Sequence, residues 1–432
     1  VSHPAALWPA LFLAAVTALR AQDSGPPRAL TLAAAHAEAL RDHPRLAAAQ
    51  VEAEIAQESV HAARAAYFPT LNAYVDGVAA GNENTRLLAG GLNNPSIYDR
   101  LAGGLVANQL ITDFGRTRNL TASAQLQARA ATAGADATRE QILLNVDLAY
   151  YRALEAAAVL QVAQQTLTTR QLLVDRVTAL NRNQLRSELD VSFAEVAREE
   201  AQLLVQNAEG DVGKTQAALS AALGEPAPQS FQLAEPAGDV PTVPEYPALL
   251  DSALQTRPEI IGLRFDRDAS QRFAQAEHDL DYPSIAAIGS VGEAPDHDAH
   301  LAPHYAAGGV QLSIPLFTGG LNASRQRAAR LRSEVAVENL RAAEDEVGRD
   351  VRVAWLDFNT AVKQLQTTDQ LVRHASQAFD LAQAEYKIGR SSIVELSQAQ
   401  LEATSAQIAQ ADARYNALIQ RSLVEYQIGG LR

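Results

Sequence analysis

Apolar residues recur at alternating steps of three and four from 351 to 386: Val351, Ala354, Phe358, Ala361, Leu365, Val372, Ala375, Phe379, Ala382 and Tyr386, with Thr368 the one hydroxyl at a stop. No Pro or Gly interrupts the stretch. A sustained 3.5-residue repeat predicts a helix packed along its length in coiled-coil fashion. Moved back 205 residues, the stops read Val146, Ala149, Ala153, Ala156, Leu160, Ala163, Leu167, Arg170, Val174, Val177 and Asn181, a stripe weakened only at Arg170 and Asn181. The same 205-residue offset carries Gly429 to Gly224, Ser392 to Ser187, Glu395 to Asp190 and Gly320 to Gly115. The chain is therefore a tandem duplication of one unit.

Helix is predicted at 116–181 and 321–386, each about 100 Å long at 1.5 Å per residue. A turn and a returning helix follow, at 189–223 and 393–428. Upstream, 30–66 reads as helix broken at His43-Pro44, because Pro lacks a donor and disfavours helix in the residue before it. Arg257-Pro258 is the matching break, 214 residues on. These helices end at Tyr67-Phe68-Pro69 and at Asp281-Tyr282-Pro283. The period then becomes two, at 70–78 and 284–291. A polar, Gly-rich loop follows, 81–100 and 293–304, and a second strand returns at 104–111 and 309–316. Each copy thus holds one hairpin with strands of about ten residues.

The predicted organisation is a signal peptide 1–21, a leader 22–29, a first repeat 30–224 with hairpin 70–111 and helical hairpin 116–223, and a connector 225–246. A second repeat, 247–432, carries hairpin 284–316 and helical hairpin 321–428. The connector is Pro-rich and expected on the surface. The fold class is mainly α with a small β part.

Composition narrows the function. The chain is 47 % hydrophobic but only 5 % aromatic, which suits close-packed helices better than a thick globular core. A formal net charge of -14 argues against a broad nucleic-acid surface. There is no cysteine, hence no disulfide, no thiolate metal site, no thiol nucleophile and no thiol to carry a lipid. The apolar run from Ala5 to Leu19, followed by Ala21-Gln22, reads as an export signal, too short for a comfortable membrane span. No transmembrane helix is predicted later.

Ten tilted strand residues suffice to cross a bilayer. Four strands cannot close a barrel, and open strand edges do not survive in lipid. The hairpins either complete a barrel with strands of identical neighbours or stay in water as ordinary surface sheet. The second option describes a soluble periplasmic coiled-coil scaffold.

Several motifs resemble one family. They are Leu30-Thr31-Leu32 through Ala39-Leu40 with His43-Pro44, Tyr67-Phe68-Pro69-Thr70-Leu71, Asp113-Phe114-Gly115-Arg116, Pro315-Leu316-Phe317-Thr318-Gly319-Gly320, and Tyr386-Lys387-Ile388-Gly389 with Ser392-Ile393-Val394-Glu395-Leu396. In this order they resemble the outer-membrane efflux protein (TolC) family. The resemblance implies a homotrimer with a twelve-stranded barrel in the outer membrane of a Gram-negative bacterium and a long α-helical coiled-coil tunnel crossing the periplasm. It implies a passive exit duct of a tripartite efflux or type I secretion system, docked to a periplasmic adaptor and an inner-membrane pump. No enzymatic activity, cofactor, metal or nucleic-acid partner is implied.

The turns between the long helices hold the candidate residues. Ser187 and Ser392 precede Asp190 and Glu395 by three positions, the spacing of a capping box. In a trimer the same carboxylates would recur as a ring in a narrow mouth, which attracts cations and repels anions. By the resemblance, Glu395 matches one of two entrance acids of the family, and the other position is Gln398. Asp190, Glu395 and Gln398 are the expected periplasmic entrance; Arg186, Ser187, Gly389, Arg390, Ser391 and Ser392 are the expected adaptor-contact tips. His297, His300 and His304, with Asp296 and Asp298, match no metal-binding framework and read as a polar external loop. Gly213-Lys214-Thr215 lacks the Gly a phosphate loop needs at 208, where Ala stands.

Overall fold

The computed structural model describes residues 28–78, 100–236, 238, 242–296 and 302–431. The expected signal peptide and most of the leader lie outside the described residues, as do the loop residues 79–99 and 297–301.

The elements run β1 (Arg28–Leu30), α1 (Leu32–Asp42), α2 (Pro44–Arg64), β2 (Thr70–Val78), β3 (Arg100–Thr112), α3 (Arg116–Arg182) and α4 (Glu188–Leu223). A short β4 (Phe231–Leu233) crosses to α5 (Tyr246–Thr256), α6 (Pro258–His278), β5 (Ser284–Asp296), β6 (His304–Ser313), α7 (Leu321–Lys387) and α8 (Ile393–Gln427). The two copies agree almost residue for residue. Helices α1 and α5 have 11 residues each, α2 and α6 have 21, and α3 and α7 have 67.

Proline sets the first boundary in both copies. His43 and Arg257 take extended backbone at ψ 120 and 122, and Pro44 and Pro258 then open the next helix. Glycine sets the start of the long helices. Gly115 (φ 123) and Gly320 (φ 85) hold backbone that a Cβ disfavours.

The long helices lie side by side, α4 against α3, α3 against α8, and α8 against α7. None of the eleven stops of the heptad stripe is exposed in either copy. Even Arg170, the polar interruption, is buried, and Asn181 is half-buried. The largest core cluster forms midway, where Leu30, Leu46, Val146, Tyr150, Leu219, Leu223, Phe231 and Tyr415 meet. A second gathers Leu249, Ile260, Val351 and Phe358.

Four expectations need correction. Helix does not begin at Leu30: residues 28–30 are a strand, and Thr31 caps α1 by accepting from the Ala34 amide at 3.2 Å. The connector is not only surface. Its β4 pairs in parallel with β1, and Phe231 is buried. The Tyr150 hydroxyl donates to the carbonyls of Leu30 (3.0 Å) and Ala234 (2.7 Å), pinning both strands to α3. The last strand is His304–Ser313 rather than 309–316, because Pro315 has no N–H to extend the ladder. The expected 293–304 loop is shorter: residues 293–296 and 304 are strand, with Glu293 opposite His304.

Strands β2, β3, β5 and β6 form one antiparallel sheet in that order, so β2 and β6 are open edges. The sheet has two unlike faces. One carries Leu71, Val75, Leu105, Val291, Val310 and Leu312, all exposed, with Val310 at 70 % and Val75 at 77 %. The other carries Thr70, Asn72, Tyr74, Asp76, Asn108, Ser290, Tyr305 and Gln311, alternating with the first set along each strand. Among the described residues no helix is long and apolar enough to cross a membrane.

Candidate functional site at the helix turns

Both long helices end in the same kind of turn. In copy one the amide of Leu185 donates to the carbonyl of Leu180 (3.0 Å) and that of Gln184 to Asn181 (2.8 Å). In copy two Arg390 donates to Glu385 (3.0 Å) and Gly389 to Tyr386 (3.2 Å). This is the Schellman arrangement, and it places Gln184 (φ 60) and Gly389 (φ 75) in the left-handed region.

Two residues later each copy re-enters helix through a complete capping box. The Asp190 amide donates to the Ser187 hydroxyl (3.1 Å) and the Ser187 amide to the Asp190 carboxylate (3.2 Å). The Glu395 amide donates to the Ser392 hydroxyl (3.2 Å) and the Ser392 amide to the Glu395 carboxylate (2.9 Å). Copy two adds the Ser391 hydroxyl, which donates to the same Glu395 oxygen at 2.7 Å. The Ser392 amide and the Ser391 hydroxyl hold the Glu395 carboxyl below the usual carboxylate range, so it stays ionised at neutral pH.

The two turns meet. Val174, Val177 and Ala194 of the first helical hairpin pack with Tyr386, Ile393 and Leu396 of the second. The Arg186 guanidinium lies 4.4 Å from the centroid of the Tyr386 ring, and its Nη2 donates to the Tyr386 carbonyl at 3.3 Å. The Asn181 amide donates to the Arg186 carbonyl at 2.9 Å, which explains the polar residue at the last stop of the stripe. Tyr386 is buried, and burial pushes its phenol above the ordinary tyrosine range despite Arg186.

The expected entrance residues share this end of the molecule. Glu395 and Gln398 are exposed, Asp190 is half-buried, and the Gln398 side chain donates to Glu402 at 3.0 Å. Of the expected tip residues, Ser187, Gly389, Arg390 and Ser392 are exposed and Arg186 is half-buried. Ser391 is buried, its hydroxyl committed to Glu395. The platform role of Tyr386 was not anticipated. Its signal was present, since it is the last stop of the stripe and the only tyrosine on it.

Carboxylates elsewhere are not all on solvated faces. Asp147 is buried and takes His36 at 2.5 Å; Glu277 is buried and takes Arg325 at 2.8 Å. The expected histidine loop lies largely outside the described residues; within them, His304 Nδ1 is 3.1 Å from Glu293. No cluster able to hold a metal ion occurs among the described residues.

Paired coiled-coil hairpins on a two-faced sheet with open edges define a subunit of a membrane channel whose span is made of strands. The model of the outer membrane efflux protein family matches residues 36–225 and 249–429, one span per copy, and the chain belongs to that family. Outer membrane protein TolC of Escherichia coli K12 is 24 % identical over 422 residues, covering 91 % of this chain and 81 % of the relative. Outer membrane efflux protein BepC of Brucella suis is 22 % identical, covering 90 % and 83 %. The solved channel CusC superposes with a TM-score of 0.80 at 20 % identity, covering 92 % of each chain. The protein is an outer-membrane efflux channel, and the scaffold reading falls away. Its relatives are channels rather than enzymes.

Proposed function

We propose that three copies of the chain assemble into one passive exit duct. Each contributes four strands to a twelve-stranded barrel and four long helices to a periplasmic tunnel. The supporting observation is the sheet itself: edges β2 and β6 are unpaired, and one face exposes Leu71, Val75, Leu105, Val291, Val310 and Leu312. In lipid both edges need partners, and identical neighbours supply them by joining β6 of one copy to β2 of the next.

At the opposite end, Asp190, Glu395 and Gln398 line the periplasmic mouth. Arg186, Ser187, Gly389, Arg390, Ser391 and Ser392 form the tips that dock a periplasmic adaptor, and an inner-membrane pump supplies the energy. Glu395 is suited to the mouth because its carboxylate is exposed and held ionised. Residues 30–224 and 247–432 act as the two repeats, joined by 225–246.

Membrane extraction tests the assembly. Detergent-solubilised protein is expected at the mass of three chains, with a band that dissociates on heating and channels in planar bilayers. A water-soluble monomer without conductance would remove the proposal. The mouth is tested by Glu395→Ala, expected to change single-channel conductance and cation block; conductance and block equal to wild type would exclude Glu395 from it. Charge reversal at Arg390 that left export intact would exclude that residue from docking.

A further inference from the structure

The polar face of the sheet carries an aromatic plate. Tyr74, Gly104, Gly292 and Tyr305 fall in one cross-strand row, from edge strand β2 across β3 and β5 to edge strand β6. The Tyr305 phenol lies over Gly104 and Gly292 so closely that a Cβ on either would overlap it. Its hydroxyl meets the Tyr74 hydroxyl. Two side chains from opposite edges thus join over glycines in the two central strands.

The neighbouring rows add unmatched acceptors on the same face. Asp76 is two residues beyond Tyr74, and Ser290 is two before Gly292. Asp76 Oδ2 and Ser290 Oγ are withdrawn from solvent with no hydrogen-bond partner among the described residues, and Ser290 is 4 % exposed. A buried oxygen without a donor is costly, and such atoms call for a ligand or water. Ring faces attract cations within about 6 Å. A carboxylate and a hydroxyl beside an aromatic surface therefore suit a molecule with both a ring to stack and an ammonium to donate.

We propose that this plate is a station on the lumen wall for cargo bearing an aromatic ring and a protonated amine. The proposal rests on closure of the barrel, which turns this face toward the lumen and repeats the plate three times at one level. The ring of the cargo stacks on Tyr305 and Tyr74, and its ammonium donates to Asp76; Ser290 lies on the other side of the plate and takes a second donor of a longer cargo.

The test uses the assembled channel in planar bilayers. The probe, 1-naphthylmethylammonium, enters from the side of the barrel mouth. Butylammonium supplies the charge without the ring, and 1-naphthalenemethanol the ring without the charge. The probe is expected to block current at a concentration at least about tenfold below either comparator. Tyr305→Ala is expected to raise the half-blocking concentration about 5- to 30-fold, and Tyr305→Phe to stay within about twofold. Asp76→Asn is expected to raise it for the probe and leave block by the neutral alcohol unchanged. A tyrosine with a purely structural role would alter open-channel conductance but not the ratio of probe to comparator. Equal block by all three compounds, or an unchanged value in Tyr305→Ala, overturns the station while the conducting barrel stands. Absence of any conducting channel overturns both.

Discussion

Gln184 and Phe114 sit in left-handed backbone, φ 60 and 55, where the second copy has Gly389 and Gly319 at φ 75 and 63. The duplication thus contains its own control, since the same turn is built with and without a Cβ penalty. A left-handed L-residue costs about 1–2 kcal/mol, partly offset by the unfolded-state freedom of glycine. Gly389→Ala is therefore expected to lose about 1 kcal/mol, and Gln184→Gly to gain up to about 1 kcal/mol, read from denaturation midpoints. Glu140 offers a second test. It is buried in α3, and burial together with the Glu259 carboxylate pushes its carboxyl up to about 7. A raised carboxyl weakens the fold as pH climbs from the unfolded value through about 7. Glu140→Gln should hence stabilise by about 2–3 kcal/mol at pH 8 and by almost nothing at pH 4, measured as thermal midpoint against pH. The capping boxes were legible because four consecutive residues decide them. The stacking of Arg186 on Tyr386 was not, because 200 residues separate the pair and only the meeting of two helical hairpins brings them together.

Helices α3 and α7 are long without being hydrophobic, and their order comes from one narrow stripe. Four of the eleven stops in each copy are Ala, which brings neighbouring helices close but fills little space. Phe358 is the one aromatic among the buried residues of the second core, which it shares with Val351, Ala354 and Leu249. Phe358→Ala leaves a cavity in this core, and about 3–5 kcal/mol of stability should be lost. Urea titration of the assembled protein would show the change as a lower midpoint at an unchanged slope. The limits of these helices could be read within a residue or two because proline, glycine and a capping serine mark them. β1 and β4 could not be read, since three residues carry no period. The extra length of β5 and β6 was hidden by Gly308, Gly309 and alanines, which blur the alternation of large and polar side chains.

At the scale of the whole molecule, one feature decides how the chain meets the membrane. The sheet is finished on its faces but not on its edges. Val310 and Gln311 are neighbours on edge strand β6, pair with Ala287 and Ala286 of β5, and point to opposite faces. In a closed barrel Val310 meets lipid and Gln311 meets water. A cation on the lipid face costs about 2–4 kcal/mol near the midplane, while the lumen accepts charge and registers it as a change in selectivity. Val310→Arg should therefore weaken the trimer, seen as dissociation at lower temperature on gels, whereas Gln311→Arg should keep it and shift conductance toward anions. In a water-exposed sheet the two arginines would be equally tolerated. The comparison thus tests at two adjacent residues the assembly proposed for the chain: a wall with lipid on one side, an aqueous path on the other, and strands of a neighbouring copy at each edge.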